Sequence, residues 1–181
     1  MLTDYIPILV IFFALFLIVI IFYNGFISRR NAKLNAFAAI DVQLKKRWDL
    51  VPNLVETVKG YTEHEKDVLE AVIAARKAPM ESHERFAHEG KVAAEVGRLL
   101  AVAEDYPEIK AQESYLLLQR NLTEIESQIS AARRAYNAAV TAWNNGVETF
   151  PGVVFAKLFN FQRSEWFQVE ISERANVDVK L

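Results

Sequence analysis

The sequence predicts an all-α protein: an N-terminal single transmembrane helix followed by an antiparallel bundle of three to four long helices. Three observations predict it. Tyr5 to Ser28 carries no charge, apolar residues beyond it recur at alternating spacings of three and four, and the chain holds only 6 glycines and 5 prolines. A turn-rich β fold needs more of both residues.

The first element is an anchor over residues 1–28. The run "YIPILVIFFALFLIVIIFYNGFIS" exceeds the roughly 20 residues a helix needs to cross hydrocarbon. Tyr5 and Tyr23 stand near its ends, where amphipathic rings favour the interface. A cleaved signal peptide would begin basic and end at a small-x-small site, but "MLTD" has no lysine or arginine and no such site follows. The flanking charge is Asp4 before the run and Arg29, Arg30 and Lys33 after it. The positive-inside bias therefore puts the short N-terminus outside and the main domain in the cytoplasm.

Charge is also sorted along the chain. Residues 29–47 hold six cations and one anion, whereas residues 48–181 hold fifteen cations and twenty-one anions. Arg29, Arg30, Lys33, Lys45, Lys46 and Arg47 thus form a membrane-proximal basic region. Each cation that reaches anionic headgroups contributes about 1 kcal/mol. The competing reading is a topology determinant and no more.

The second element is a helical bundle over residues 29–150. Leu34, Phe37, Asp41, Leu44, Trp48, Val51, Val55 and Val58 hold a heptad rhythm of the coiled-coil kind. In that register Lys45, Lys46 and Arg47 lie outside the seam, on a solvated basic face. Asp41 is the offender, because a carboxylate at a core position costs several kcal/mol unless it is paired. Pro52 lacks an amide hydrogen and predicts a kink or break. Asp49 or Asn53 would then cap the exposed ends. Leu69, Val72 and Ile73 carry helical character to about Ala78, and "PMESHERFAHEG", Pro79 to Gly90, reads as a loop. Val92, Val96, Leu99, Leu100 and Ala103 make a shorter helix, stopped near Asp105-Tyr106 by Pro107. The longest helix, Ile109 to Thr149, has its seam at Tyr115, Leu118, Leu122, Ile125, Ile129, Ala132, Tyr136, Ala139, Trp143, Val147 and Phe150. Its natural partner is the first bundle helix, running antiparallel.

The third element, residues 151–181, is rich in aromatics. It reads as a short helix and an extended tail packed on the bundle, with "VDVKL" a loose end. A second contact with the membrane surface or a partner is the competing reading.

The chemistry-bearing motifs are sparse. A formal net charge of -2 argues against nucleic acid as a partner. The absence of cysteine removes disulfides and thiolate metal sites. "HERFAHE" fails as a zinc-protease helix, since its histidines, His83 and His88, are five apart where a shared metal needs four. His64 beside Glu65 reads as a polar face. Asn121 opens a formal glycosylation sequon but lies in a seam-forming helix. No nucleophile elbow, P-loop or dinucleotide glycine pattern occurs. The expectation is no catalytic, cofactor or metal site, hence no enzyme.

"YNGFISRRN", "IDVQLKKRWDLVPNLVETVKGYTEHE", "YPEIKAQESYLLLQ", "ARRAYNAAV" and "FPGVVFAKLFNF" together resemble the LemA family of bacterial membrane proteins, over Tyr23 to about Glu170. Phe37 stands where relatives often have tryptophan, and Trp48 where the slot is usually polar or variable. The resemblance implies an N-terminal anchor with a short external end, an α-helical bundle inside the cell, and placement in the bacterial inner membrane. It implies no catalytic residue. The positions it carries over are Asp41, Gln43, Leu44, Arg47, Asp49, Pro52, Asn53, Tyr136 and Asn137, read as architecture first and partner contact second. The expected function is a non-enzymatic scaffold or adaptor working by helix–helix association. Its expected partners are membrane lipid through the anchor, a second copy of itself, and a membrane protein. The alternative is an accessory subunit of a membrane protease or envelope-stress system, docking through the segment after Phe150.

Overall fold

The computed structural model describes residues 2–60, 66–76 and 84–167. Among these residues six helices follow in chain order: α1 (Leu2–Lys59), α2 (Lys66–Arg76), α3 (Glu84–Glu104), α4 (Pro107–Lys110), α5 (Glu113–Glu148) and α6 (Gly152–Leu158). No strand occurs among the described residues. The chain divides into two compact units, one of Met1–Ala39 with Ala132–Gln168 and one built around Ile40–Ala131.

In the first unit, α1 supplies the one helix among the described residues long and apolar enough to cross a membrane. Its side chains stand open, Phe12 at 71% and Ile21 at 68% exposed. Large apolar side chains left open in unbroken succession suit lipid as solvent, not water. Toward Ala39 the helix acquires partners. Phe26 is buried with Trp143 and Ala156, and Val147, Phe155 and Phe161 pack around them. Phe26 meets the Trp143 ring edge-on at 5.9 Å and Phe37 meets Tyr136 at 5.8 Å, so rising numbers on α1 face falling numbers on α5. The two helices are antiparallel here. The helix α6 lies against this cluster through buried Gly152 and Ala156. A Cβ at Gly152 would overlap the Gly146 carbonyl, so this approach requires glycine.

In the second unit, Val51, Leu54, Val55 and Val58 of α1 close on Val72 of α2, Val92, Val96, Leu99 and Ala103 of α3, Ile109 of α4, and Tyr115 and Leu122 of α5. Pro107 opens α4, and the preceding Tyr106 is extended, at φ -115 and ψ 98. That is the backbone a residue before proline prefers, and it separates α3 from α4.

Several expectations are corrected. No break occurs at Pro52, because α1 runs through it to Lys59. Proline inside a helix costs about 3 kcal/mol, but Val51, Leu54 and Val58, at 2%, 0% and 0% exposed, surround it. Each such burial returns about 1.5–3 kcal/mol, so packing wins. The first bundle helix does not extend to Ala78. It ends at Lys59 before Gly60, and α2 is separate. The expected loop from Pro79 to Gly90 is helical from Glu84 onward; its earlier part, with His83, lies outside the described residues, as do His64, Glu65 and "VDVKL". The long helix begins at Glu113, since Ile109 belongs to α4.

The seam register also shifts. From Ile40 onward the buried positions on α1 are Ile40, Leu44, Arg47, Val51, Leu54, Val55 and Val58. They keep the predicted rhythm but replace Asp41 and Trp48 as alternate rungs by Ile40 and Arg47, the residue before each, while Val55 stays in the core with Leu54 beside it. Asp41 and Trp48 are only partly buried, whereas Arg47, expected on a solvated face, is 2% exposed. Leu34 and Phe150, expected in the seam, stand 52% and 84% exposed. On α5 the core also takes Val140 and Asn144, outside the predicted stripe.

Candidate interaction site

The most organised polar constellation lies in the first unit, where α5 holds a segment without regular secondary structure, residues 161–167. Asn144 Nδ2 donates to the Ser164 carbonyl at 2.9 Å, and Asn144 Oδ1 accepts from the Ser164 amide at 2.9 Å. Asn137 repeats the arrangement on Phe167, at 3.1 and 2.7 Å. Each side-chain amide thus pairs with the backbone amide and carbonyl of one residue, as a neighbouring strand would. The spacing matches because seven helical residues rise about 10.5 Å and three residues of stretched chain can cover about 10 Å. Trp143 Nε1 donates to the Gln162 carbonyl at 2.8 Å, and Trp166 Nε1 to Thr141 Oγ1 at 3.0 Å.

Cations complete the clamp. Lys33 Nζ donates to Ser164 Oγ and lies 5.1 Å from the Trp143 ring centroid. Burial, and then the neighbouring Arg30 charge, hold its ammonium below the usual lysine range. Arg133 lies 4.8 Å over Phe167, Arg163 lies 4.7 Å over Trp166, and Arg163 pairs with Glu148 at 3.5 Å. Burial, with a smaller contribution from Glu165, raises Tyr136 above the usual tyrosine range. The chain enters this segment through Asn160, whose φ of 55 is left-handed. Asparagine tolerates that region better than other side chains with a Cβ.

A second constellation lies in the other unit. Arg47 is buried and its Nη1 donates to Glu126 Oε2 at 3.0 Å, while the Glu126 side chain is 50% exposed. This pair borders a groove of about 280 Å³ lined by Ala93, Val96, Gly97, Leu100, Leu122 and Thr123. Another, of about 360 Å³, is lined by Lys46, Asp49, Leu50, Asn121, Glu124, Ile125 and Gln128. Asp49 pairs with Lys45 at 3.2 Å on the same exposed face. With α1 unbroken there is no helix end for Asp49 or Asn53 to cap; the Asn53 carbonyl accepts from Thr57 Oγ1 at 2.8 Å. Gln43 and Pro52 are partly buried.

The predicted residues therefore divide. Asp41, Gln43, Arg47, Asp49, Pro52 and Asn53 belong to one unit, Tyr136 and Asn137 to the other. The basic region divides too: Arg29 and Arg30 are exposed, Lys33 joins the clamp, Lys45 and Lys46 are exposed, and Arg47 is buried. Sequence reasoning missed Asn144 and the polar role of Trp143. A signal was present: "YN" at Tyr136-Asn137 recurs as "WN" at Trp143-Asn144, one heptad on. The groups gathered here are amides, indole N–H groups and hydroxyls that position a backbone. Among the described residues no group of three or more His, Cys, Asp or Glu could hold a metal ion.

Residues 36–181 match the LemA family. Protein LemA of Metamycoplasma hominis is 26% identical over 180 residues, covering 92% of this chain and 82% of that protein. Magnetosome protein MamQ 2 of Paramagnetospirillum magneticum is 37% identical over 73 residues, 40% of this chain and 27% of that protein. Magnetosome protein MamQ of Magnetospirillum gryphiswaldense is 29% identical over 72 residues, 40% of this chain and 26% of its own length. The aligned stretch thus spans about a quarter of each magnetosome protein.

Proposed function

This chain belongs to the LemA family, and from that premise we propose that it is a membrane-anchored, non-enzymatic helical scaffold acting through helix–helix association. The observation that carries the reading is α1 itself. One helix, Leu2–Lys59, supplies both the open apolar run and the buried rungs Ile40, Leu44, Val51, Leu54 and Val58. Membrane attachment and bundle assembly are thus written into one element. In this reading the N-terminus is outside and the Arg29, Arg30 and Lys33 side is cytoplasmic, following the positive-inside bias. Self-association draws on apolar side chains left open beyond the anchor, among them Val42 at 53% and Ile73 at 42% exposed.

The reading as an accessory subunit that docks through its aromatic tail draws less support. Phe155, Phe159 and Phe161 are engaged within the chain by Phe22, Tyr23 and Phe26. Chemical crosslinking in native membranes, with mass photometry of the detergent-extracted protein, tests the scaffold. Dimers or higher species are expected. A monomer in both assays, together with a stoichiometric foreign partner in proximity labelling, would reverse the preference.

A further inference from the structure

The outer face of α6 is apolar and open. Val154 and Leu158, spaced by four, are 55% and 69% exposed, and Phe150 in the turn before the helix is 84% exposed. The opposite face is fully used by Gly152 and Ala156. A short helix with one apolar face packed and the other bare needs a second apolar neighbour, and the structure indicates which one. Phe155 stacks on Phe22 with centroids 4.5 Å apart, and Phe159 meets Tyr23 edge-on at 5.1 Å. Phe22 and Tyr23 stand near the end of the uncharged run, which closes at Ser28 before Arg29 and Arg30. About 20 residues from Tyr5 cross the hydrocarbon, which brings Phe22 and Tyr23 to its boundary. The helix α6 is therefore held at the depth where acyl chains give way to headgroups.

Composition agrees. From Phe150 to Asn160 there is no acidic residue, and the single cation, Lys157, is exposed. A lysine on such a face extends its stem along the apolar surface and leaves its ammonium among headgroups. We infer that the Phe150–Pro151 turn and α6 make a second contact with the bilayer, lying in the plane of the interface beside the point where α1 emerges. The inference rests on reading α1 as the membrane span.

The chain contains no cysteine, so single-cysteine variants give unique labelling sites in the full-length protein. Phe150→Cys, Val154→Cys and Leu158→Cys would carry a polarity-sensitive fluorophore in vesicles of mixed zwitterionic and anionic phospholipid. Ile11→Cys, inside the span, and Leu117→Cys, exposed on α5, serve as references. The expected result is blue-shifted emission at Val154→Cys and Leu158→Cys, with quenching by shallow spin-labelled lipid several-fold above that at Leu117→Cys. Ile11→Cys should be quenched best by deep spin-labelled lipid. Iodide quenching of the α6 probes at the Leu117→Cys level, with Ile11→Cys still lipid-quenched, would overturn the inference and leave the anchor standing. Blue-shifted α6 probes insensitive to lipid quencher would overturn it as well, because protein would then cover this face. An iodide-accessible Ile11→Cys would remove the anchor and the inference together.

Discussion

Replacing Asn144 by alanine should release the segment of residues 161–167 without unfolding the helix beneath it. Asn144 is 2% exposed and makes two hydrogen bonds to Ser164, both 2.9 Å. A net bond contributes about 0.5–1.5 kcal/mol, so the pair contributes about 1–3 kcal/mol. The upper end is capped, because Ser164 can recover water by undocking once its partner is gone. With about 1.4 kcal/mol per decade, exchange of the Ser164 amide should accelerate roughly 5- to 150-fold. Hydrogen-exchange mass spectrometry with fragmentation to single residues would read it. Asn137→Ala should do the same at Phe167. Because one segment carries both contacts, the double variant should fall short of the sum of the singles. Unchanged exchange at Ser164 in Asn144→Ala would show that the amide pairs do not clamp the segment, and strict additivity in the double variant would show that the two contacts act independently.

Three other outcomes follow from the same structure. Glu126→Ala should lower stability by about 1–3 kcal/mol in a urea melt, since it strips a charged acceptor from buried Arg47, with solvent at the half-exposed carboxylate moderating the loss. Gly152→Ala should destabilise by about 1–3 kcal/mol through overpacking on the Gly146 carbonyl, whereas Gly97→Ala, with open space at its Cβ, should stabilise α3 by up to about 1 kcal/mol; thermal melts of the pair decide it. Tyr115 and Tyr136 are raised, the first by burial and then Glu104, the second by burial and then Glu165, so their phenols should ionise above the free tyrosine range in an ultraviolet absorbance titration. An acid raised on folding keeps its proton longer in the native state. Stability should therefore be intact below about pH 10 and fall as pH climbs through the raised values.

How much of this was legible in the sequence depends on the range of the cause. The apolar run of α1, the helical period and the stop at Pro107 follow from side chains acting on their own stretch of backbone. These could be read directly. The Gly60 stop was legible too but lost to the apolar period continuing beyond it. The break expected at Pro52 does not occur, because its local cost of about 3 kcal/mol is set against burial by distant helices. Likewise the "YN…WN" repeat named the clamp residues but could not name the segment they hold.

The sequence by itself determined an open apolar helix leading into packed helices, because hydrophobicity and period are properties of each segment alone. Only the tertiary structure decided which of two stripes one residue apart faces inward: Ile40 and Arg47 over Asp41 and Trp48. Adjacent stripes on a helix differ by about 100° and satisfy the same rhythm, so the choice belongs to the helices that cover them. The same holds for Asn144, whose amide has a purpose only once Ser164 is laid across it.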